Sequence, residues 1–167
     1  MLVYRGRYTA VYKSRLRMPD GRYVDYDVVK QNPAAVILPF LDDDTVVMIR
    51  EYRPLVKEWL YQLPAGTIEK GDKPIERARA ELEEEAGYSS SNLEYLFKSY
   101  PTPGRTTETT YYFMATKLKK TRQSLEKDEM ITVKLVRFSK AMQMVKENRI
   151  RNGNSIQALL YYDRFVR

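Results

Sequence analysis

The chain has 167 residues, with 29 Lys and Arg against 22 Asp and Glu for a net charge of +7, and it contains neither Cys nor His. Those zeros exclude a disulfide framework, a zinc site of thiolates or imidazoles, a Cys nucleophile and any triad that needs an imidazole base, so acid–base chemistry falls to carboxylates, Lys or Tyr. A hydrophobic fraction of 43% suits one packed domain, and the positive excess points to an anionic partner without choosing between nucleic acid, nucleotide and solvent.

The start, Met1-Leu2-Val3-Tyr4-Arg5, lacks the apolar core of a signal peptide. The longest uncharged stretch, residues 31–41, is eleven residues long and too short to span a bilayer as a helix, so a cytoplasmic protein is expected. Residues 7–17 and 22–30, rich in Tyr, Val and charge, flank Pro19-Asp20-Gly21 and predict an amino-terminal hairpin. Residues 34–40 and 45–49, around the Asp42-Asp43-Asp44 turn, read as two buried strands. A first helix is expected to begin near Asp72 and Lys73, with Pro74 in its first turn, and to stop at Gly87. Residues 93–100 and 109–116 are strand candidates on either side of Pro101-Thr102-Pro103-Gly104, and residues 131–138 form another. Ser139 is a candidate cap for a second helix running to Asn148, and Asn154 or Ser155 for a third running to Phe165, with Ile156, Leu159, Leu160 and Asp163 near one face. Strands interleaved with three helices predict an α/β fold in which helices cover a mixed sheet.

Residues 66–88 carry the most information. Between residues 69 and 85 there are seven acidic and four basic side chains, a balance of −3, which leaves 25 basic and 15 acidic elsewhere, or +10. Glu81, Glu84 and Glu85 stand at i, i+3 and i+4 and project from one helix face, while Glu83 points to solvent. Like-charged pairs at this spacing cost a few tenths of a kcal/mol each, and the helix dipole disfavours anions in the last turns by about 0.3 to 1 kcal/mol each. A hard divalent cation reverses both signs, because Mg²⁺ prefers carboxylate oxygens and bridges to phosphate. A Glu run on a helix is usually a solvated face, and the punctuation around this one is what argues otherwise: Pro64-Ala65-Gly66 before it, Gly71 in the loop and Gly87 at the end.

These residues resemble the box of the Nudix hydrolase family, which Gly66, Glu81, Leu82, Glu84, Glu85 and Gly87 match in register. Asp72 stands where the box has its first Glu and Ala80 where it has Arg, so the resemblance implies loss of one bracing salt bridge, and Arg79, about 100° around the helix, cannot replace it. The likeness extends to the ADP-ribose pyrophosphatase branch through Arg50-Glu51-Tyr52-Arg53, Trp59-Leu60-Tyr61-Gln62-Leu63-Pro64-Ala65-Gly66, Pro103 sixteen residues after Gly87, and residues 152–160. It implies a Nudix-type α/β/α sandwich with a mixed sheet and an amino-terminal β-hairpin. Residues 1–167 would form one domain, with the hairpin of 1–32 in homodimer contact and residues 33–167 as the catalytic core.

The same resemblance implies hydrolysis of ADP-ribose to AMP and ribose 5-phosphate, with Mg²⁺ or Mn²⁺ held by Glu81, Glu84, Glu85 and the backbone carbonyl of Ala65. Arg53 would contact substrate phosphate through its bidentate fork, and Pro103 and Gly104 would belong to the substrate loop. With Ile131 anchoring the register, the branch's catalytic Glu falls on Lys127, which leaves the flanking Glu126 and Glu129 as candidates for the base and Glu108 as a further catalytic candidate in contact with water or substrate. Alternatives are another nucleoside diphosphate sugar such as GDP-mannose, a dinucleotide, or a nucleotide-binding module with weakened catalysis. Neither nucleic acid nor membrane is an expected partner.

Overall fold

The computed structural model describes residues 1–6 and 9–167. Arg7 and Tyr8, the first residues of the expected hairpin, lie outside the described residues. Beyond them the hairpin forms as expected, with β2 (Ala10–Arg17) antiparallel to β3 (Tyr23–Lys30). Its turn closes because Gly21 takes φ 87° and donates its N–H to the Met18 carbonyl at 2.9 Å. A further strand, β1 (Leu2–Arg5), pairs with β2 and makes a three-stranded sheet where only a hairpin was expected. Four residues at a terminus are too few to display an alternation.

The apolar runs β4 (Ala34–Pro39) and β5 (Thr45–Arg53) are almost wholly buried, as expected of strands covered on both faces. Between them Asp42 Oδ1 accepts from the N–H groups of Asp44 and Thr45, which turns the chain. Two short strands follow, β6 (Glu58–Gln62) and β7 (Ala65–Thr67), neither of which the sequence pattern foretells. Next come α1 (Pro74–Ala86), β8 (Tyr88–Ser99), β9 (Thr110–Lys120), β10 (Ile131–Arg137), α2 (Phe138–Lys146) and α3 (Gly153–Phe165). The central strands form one sheet in the order β7-β4-β9-β8, in which β4 and β9 run parallel, and one antiparallel sheet in the order β10-β5-β6.

Alternation along β4 divides the core. Val36, Leu38 and Phe40 join Val46, Met48 and Tyr112 beneath α2 and α3, which contribute Phe138, Ala141, Met144, Ala158 and Leu159. Ala35 and Ile37 join Val47, Phe113 and Ala115 beneath Ala78, Leu82 and Ala86 of α1. Helices therefore cover opposite faces of the sheet, which is the α/β/α layering that the resemblance implied.

Two caps differ from expectation. Ser139 lies inside α2, which starts at Phe138 with no side-chain cap bond from Arg137. Asn152, rather than Asn154 or Ser155, caps α3 by accepting from the Ser155 N–H at 2.9 Å. Ser155, Ala158 and Leu159 form the buried face of α3, whereas Leu160 is 47% exposed. Among the described residues no helix is long and apolar enough to cross a membrane.

Candidate active site

Helix α1 begins as expected, with Pro74 in its first turn, and ends at Gly87, whose φ of 66° lets its N–H reach the carbonyls of Glu83 and Leu82. Its acidic face is largely sunk into the protein. Glu81 and Glu85 are each only 3% exposed, whereas the Glu84 side chain remains 44% exposed and Glu83 faces solvent. The Ala65 N–H donates to Glu85 Oε2 at 2.8 Å, so the start of β7 positions one carboxylate directly. Gly66 clears space for the other: a Cβ there would lie 2.8 Å from Glu81 Cγ and nearer still to its Cδ and Oε1.

Burial without full compensation pushes both acids towards their neutral forms. Burial raises the Glu81 carboxyl to about 7, although the neighbouring Arg77 guanidinium pulls it back. Glu85 is raised well above the usual carboxylate range, first by burial and then by the Glu81 charge, with the Ala65 N–H opposing. Two buried, electron-rich carboxylates on one face provide hard oxygen ligands of the kind that divalent cations prefer. Among the described residues no three acidic side chains are gathered closely enough to hold a metal ion as they stand. A guanidinium instead lies between two of them: Arg77 pairs with Glu81 Oε1 and, at 3.4 Å, with Glu84 Oε2.

Arg77 was not among the residues singled out from the sequence, although its i, i+4 spacing from Glu81 is visible there. It also alters the consequence of Ala80. No salt bridge to Asp72 is found among the described residues, but α1 is braced in two other ways: Arg77 holds the carboxylate face, and Arg79 donates to the Ser90 carbonyl on β8 at 2.7 Å.

A second network sits behind the site. Glu51, 5% exposed on β5, accepts from Gln62 Nε2 and pairs with Arg53 at 2.9 Å. Burial raises its pKa, and Arg53 opposes that rise. Asn152 Nδ2 donates to Gln62 Oε1 at 3.3 Å, while Ser155 Oγ accepts from the Leu63 N–H at 2.9 Å. The start of α3 is thereby tied to the Leu63-Pro64-Ala65 bend that presents the Ala65 backbone. Arg53 keeps a half-exposed guanidinium, 43% accessible, held at one edge by Glu51.

The connection from β9 to β10 supplies the remaining acids. Its first residues fasten to the end of α1: Thr121 N–H donates to the Gly87 carbonyl and Ser124 N–H to that of Glu84, both at 2.9 Å, and Gln123 Nε2 donates to the Glu85 carbonyl at 2.6 Å. The free carbonyls of the helix are thus satisfied by the segment that leads into residues 125–130. Within that loop the Glu126 N–H donates to Glu129 Oε2 at 2.8 Å. The Glu129 charge contributes, as one of the smaller causes, to the raised pKa values of Glu51, Glu81 and Glu85, so its carboxylate lies within electrostatic reach of theirs.

Glu126 and Glu108 line a cleft of about 690 Å³ together with Arg5, Lys30, Thr67 and Glu69. Glu108 is half buried, and burial raises its pKa. Pro103 and Gly104 are not brought to this cleft. They line a separate groove of about 360 Å³ with Leu16, Arg17 and Tyr26 of the amino-terminal sheet.

A layered sandwich that carries buried glutamates on the helix between Gly66 and Gly87 is the Nudix arrangement. The NUDIX domain model matches residues 30–159, so the chain belongs to that family, and it is a Nudix hydrolase. It is 27% identical over 161 residues to an ADP-ribose pyrophosphatase of Bacillus subtilis (strain 168), spanning 95% of this chain and 87% of that one. It is 32% identical over 141 residues to a GDP-mannose pyrophosphatase of Salmonella typhimurium, spanning 78% of this chain and 72% of the relative. Among solved structures, an ADP compounds hydrolase superposes with a TM-score of 0.81 at 26% identity, covering 98% of this chain and 89% of its own.

Proposed function

We propose that the protein hydrolyses the diphosphate linkage of ADP-ribose, releasing AMP and ribose 5-phosphate, with Mg²⁺ or Mn²⁺ as cofactor. The observation that carries this reading is the pair of buried carboxylates, Glu81 and Glu85, on one face of α1 with Glu84 beside them and Glu129 within electrostatic reach. Glu81, Glu84, Glu85 and the Ala65 carbonyl would hold the cation. Their oxygens fit a hard ion, and when bound it would supply neutralisation of phosphate charge and acidification of water.

The chain's own groups divide the remaining work. Glu129 is the proposed base that takes the proton from the attacking water, oriented by the Glu126 N–H at 2.8 Å. Arg53, anchored by Glu51, offers its exposed edge to a phosphate oxygen of the substrate. Arg5 and Lys30 give the cleft cationic groups to receive an anionic substrate, and Glu108 offers an acceptor to its hydroxyls. Likeness over 95% of the chain to an ADP-ribose pyrophosphatase supports this substrate over others.

Incubation with ADP-ribose and Mg²⁺ should yield AMP, and absence of product with Mg²⁺, Mn²⁺ and other divalent ions would overturn the reading. The 32% identity to a GDP-mannose pyrophosphatase favours a second substrate of the same class, and kcat/KM for the two compounds decides between them. The amino-terminal sheet exposes Leu2, Val3, Tyr4, Leu16, Tyr23, Val24 and Tyr26, each by at least 37%. Strand neighbours such as Leu2 and Val3, or Tyr23 and Val24, point to opposite faces, so the sheet is apolar on both sides, which suits cover by a second copy of the chain. We therefore propose a homodimer through residues 1–32, with 33–167 as the catalytic core. Light scattering should give twice the chain mass, and a monomeric mass would exclude the homodimer.

A further inference from the structure

Two of the three glutamates on the acidic face of α1 share a cation that the chain itself supplies. Helix α1 has no basic residue in its last turn, so the repulsion between Glu81 and Glu84 has no local relief. Relief comes from Arg77, one turn before Glu81 and two before Glu84. A single nitrogen of its guanidinium contacts Glu81 Oε1 and lies 3.4 Å from Glu84 Oε2. The side chain is only 26% exposed, and among the described residues its buried Nε has no hydrogen-bond partner.

Arg77 instead commits one terminal nitrogen to two carboxylates, through a hydrogen bond to Glu81 and a longer ionic contact with Glu84, so a single donor atom serves both. The oxygens it occupies belong to the glutamates that a hard divalent cation would need. Two cations cannot both hold them.

We propose that Arg77 is a resident counter-ion of the carboxylate site, one that holds Glu81 and Glu84 together until a divalent cation displaces it. The proposal rests on the reading of Glu81, Glu84 and Glu85 as the metal-binding set. It assigns Arg77 a positioning role, acting through the carboxylates rather than on substrate. Binding-competent molecules are then the fraction in which the Arg77 pairs are open, and the apparent affinity for metal is lowered by that fraction.

Calorimetric titration of metal-free protein with Mn²⁺ tests this without reference to activity. Arg77→Met should bind Mn²⁺ at least about tenfold more tightly than wild type while melting at a lower temperature in the absence of metal. Arg79→Met serves as the control. It removes an equal charge two residues away, from a guanidinium bonded to the Ser90 carbonyl, and should change affinity by no more than about twofold. Equal or weaker binding by Arg77→Met, or an equal gain in Arg79→Met, would overturn the proposal while leaving the metal site standing. Absence of Mn²⁺ binding in both wild type and Arg77→Met would remove the metal site itself, and this inference with it. Should Arg77→Met fail to fold, Arg77→Lys retains the charge with a point-like ammonium and should tighten binding several-fold, and unchanged or weaker affinity there overturns the idea equally.

Discussion

Replacing Gly66 by Ala adds one carbon at the place where the structure has least room for it. The new Cβ would stand 2.8 Å from Glu81 Cγ and closer to the carboxylate atoms beyond. Carbon atoms in contact prefer about 3.5 to 4.0 Å, so Cγ must retreat by roughly 0.7 Å and the carboxylate by more. A misplacement of about 1 Å at a reacting centre can cost about 100-fold, so turnover of ADP-ribose should fall by at least that factor. The fold should suffer much less. Glu81 leaves a site where burial already disfavours its charge, and what is lost is its pair with Arg77, so a destabilisation of about 1 to 2 kcal/mol is expected. For a chain of this size that lowers Tm by roughly 2 to 8 °C. Initial rates of AMP release and a thermal melt on the same preparation measure both quantities. A variant that turns over within about fivefold of wild type and melts with it would refute the claim that Gly66 exists to admit Glu81.

Other outcomes follow from the same geometry. Glu85→Gln keeps an oxygen for the Ala65 N–H but removes an acid whose ionisation burial opposes, so activity should collapse while the metal-free variant melts above wild type at neutral pH; an unchanged rate would contradict the role given to Glu85. In metal-free protein Glu81 keeps its proton to about pH 7, whereas the unfolded chain releases it near 4.5. The folded state therefore binds more protons across that window, and this contribution to stability is present below 4.5 and lost as pH rises through 7. It amounts to about 3 kcal/mol at most, and urea melts of wild type against Glu81→Gln should differ in slope across the window, with equal slopes counting against it. Asn152→Ala removes the cap of α3 and the bond to Gln62, and should cost about 1 to 2 kcal/mol in urea melts; no change in midpoint would show that Ser155 holds the helix start unaided.

Much of this architecture is readable without coordinates because it is local. Ala35 to Leu38 and Val46 to Ile49 are uninterrupted apolar runs, and a strand buried on both faces can have little else. Pro74 and Gly87 delimit α1 because Pro fits a helix only in its first turn and Gly takes the left-handed φ of 66° at its end without strain. Strands β6 and β7 escape notice for the opposite reason. Glu58-Trp59-Leu60-Tyr61-Gln62 mixes polar and aromatic residues without a period, and its identity as a strand comes from pairing with β5. The cap of α3 is misplaced by two or three residues because Asn, Ser and Gly in Asn152-Gly153-Asn154-Ser155 are all competent, and the contact of Ser155 with Leu63 decides among them.

At the site, the carboxylates on α1 follow from spacing alone, but their inequality does not: Glu81 and Glu85 are buried and Glu84 is not. Spacing also could have disclosed Arg77. The Glu51, Gln62 and Asn152 chain could not have been found, since its members lie on separate elements up to 101 positions apart in sequence and meet only when the start of α3 reaches the end of β6. Pro103 and Gly104 show that nearness in sequence does not by itself set which groove a residue lines. Near Glu108 in sequence, they line a different groove, because the turn in which the Arg105 and Thr106 N–H groups donate to the Thr102 carbonyl separates them from that acid.

The fastening of residues 121–124 to the carbonyls of α1 has a consequence for how such an enzyme can change. The loop carrying Glu126 and Glu129 is clamped at one end to the helix that bears the carboxylates, and at the other by β10, whose register against β5 starts at Ile131 opposite Glu51. Substitutions, or a one-residue change in length, between the clamps would re-aim acids over a fixed floor without unseating that floor. Substrate range and rate could then drift together by mutation in half a dozen positions, while the carboxylate floor on α1 is inherited unaltered.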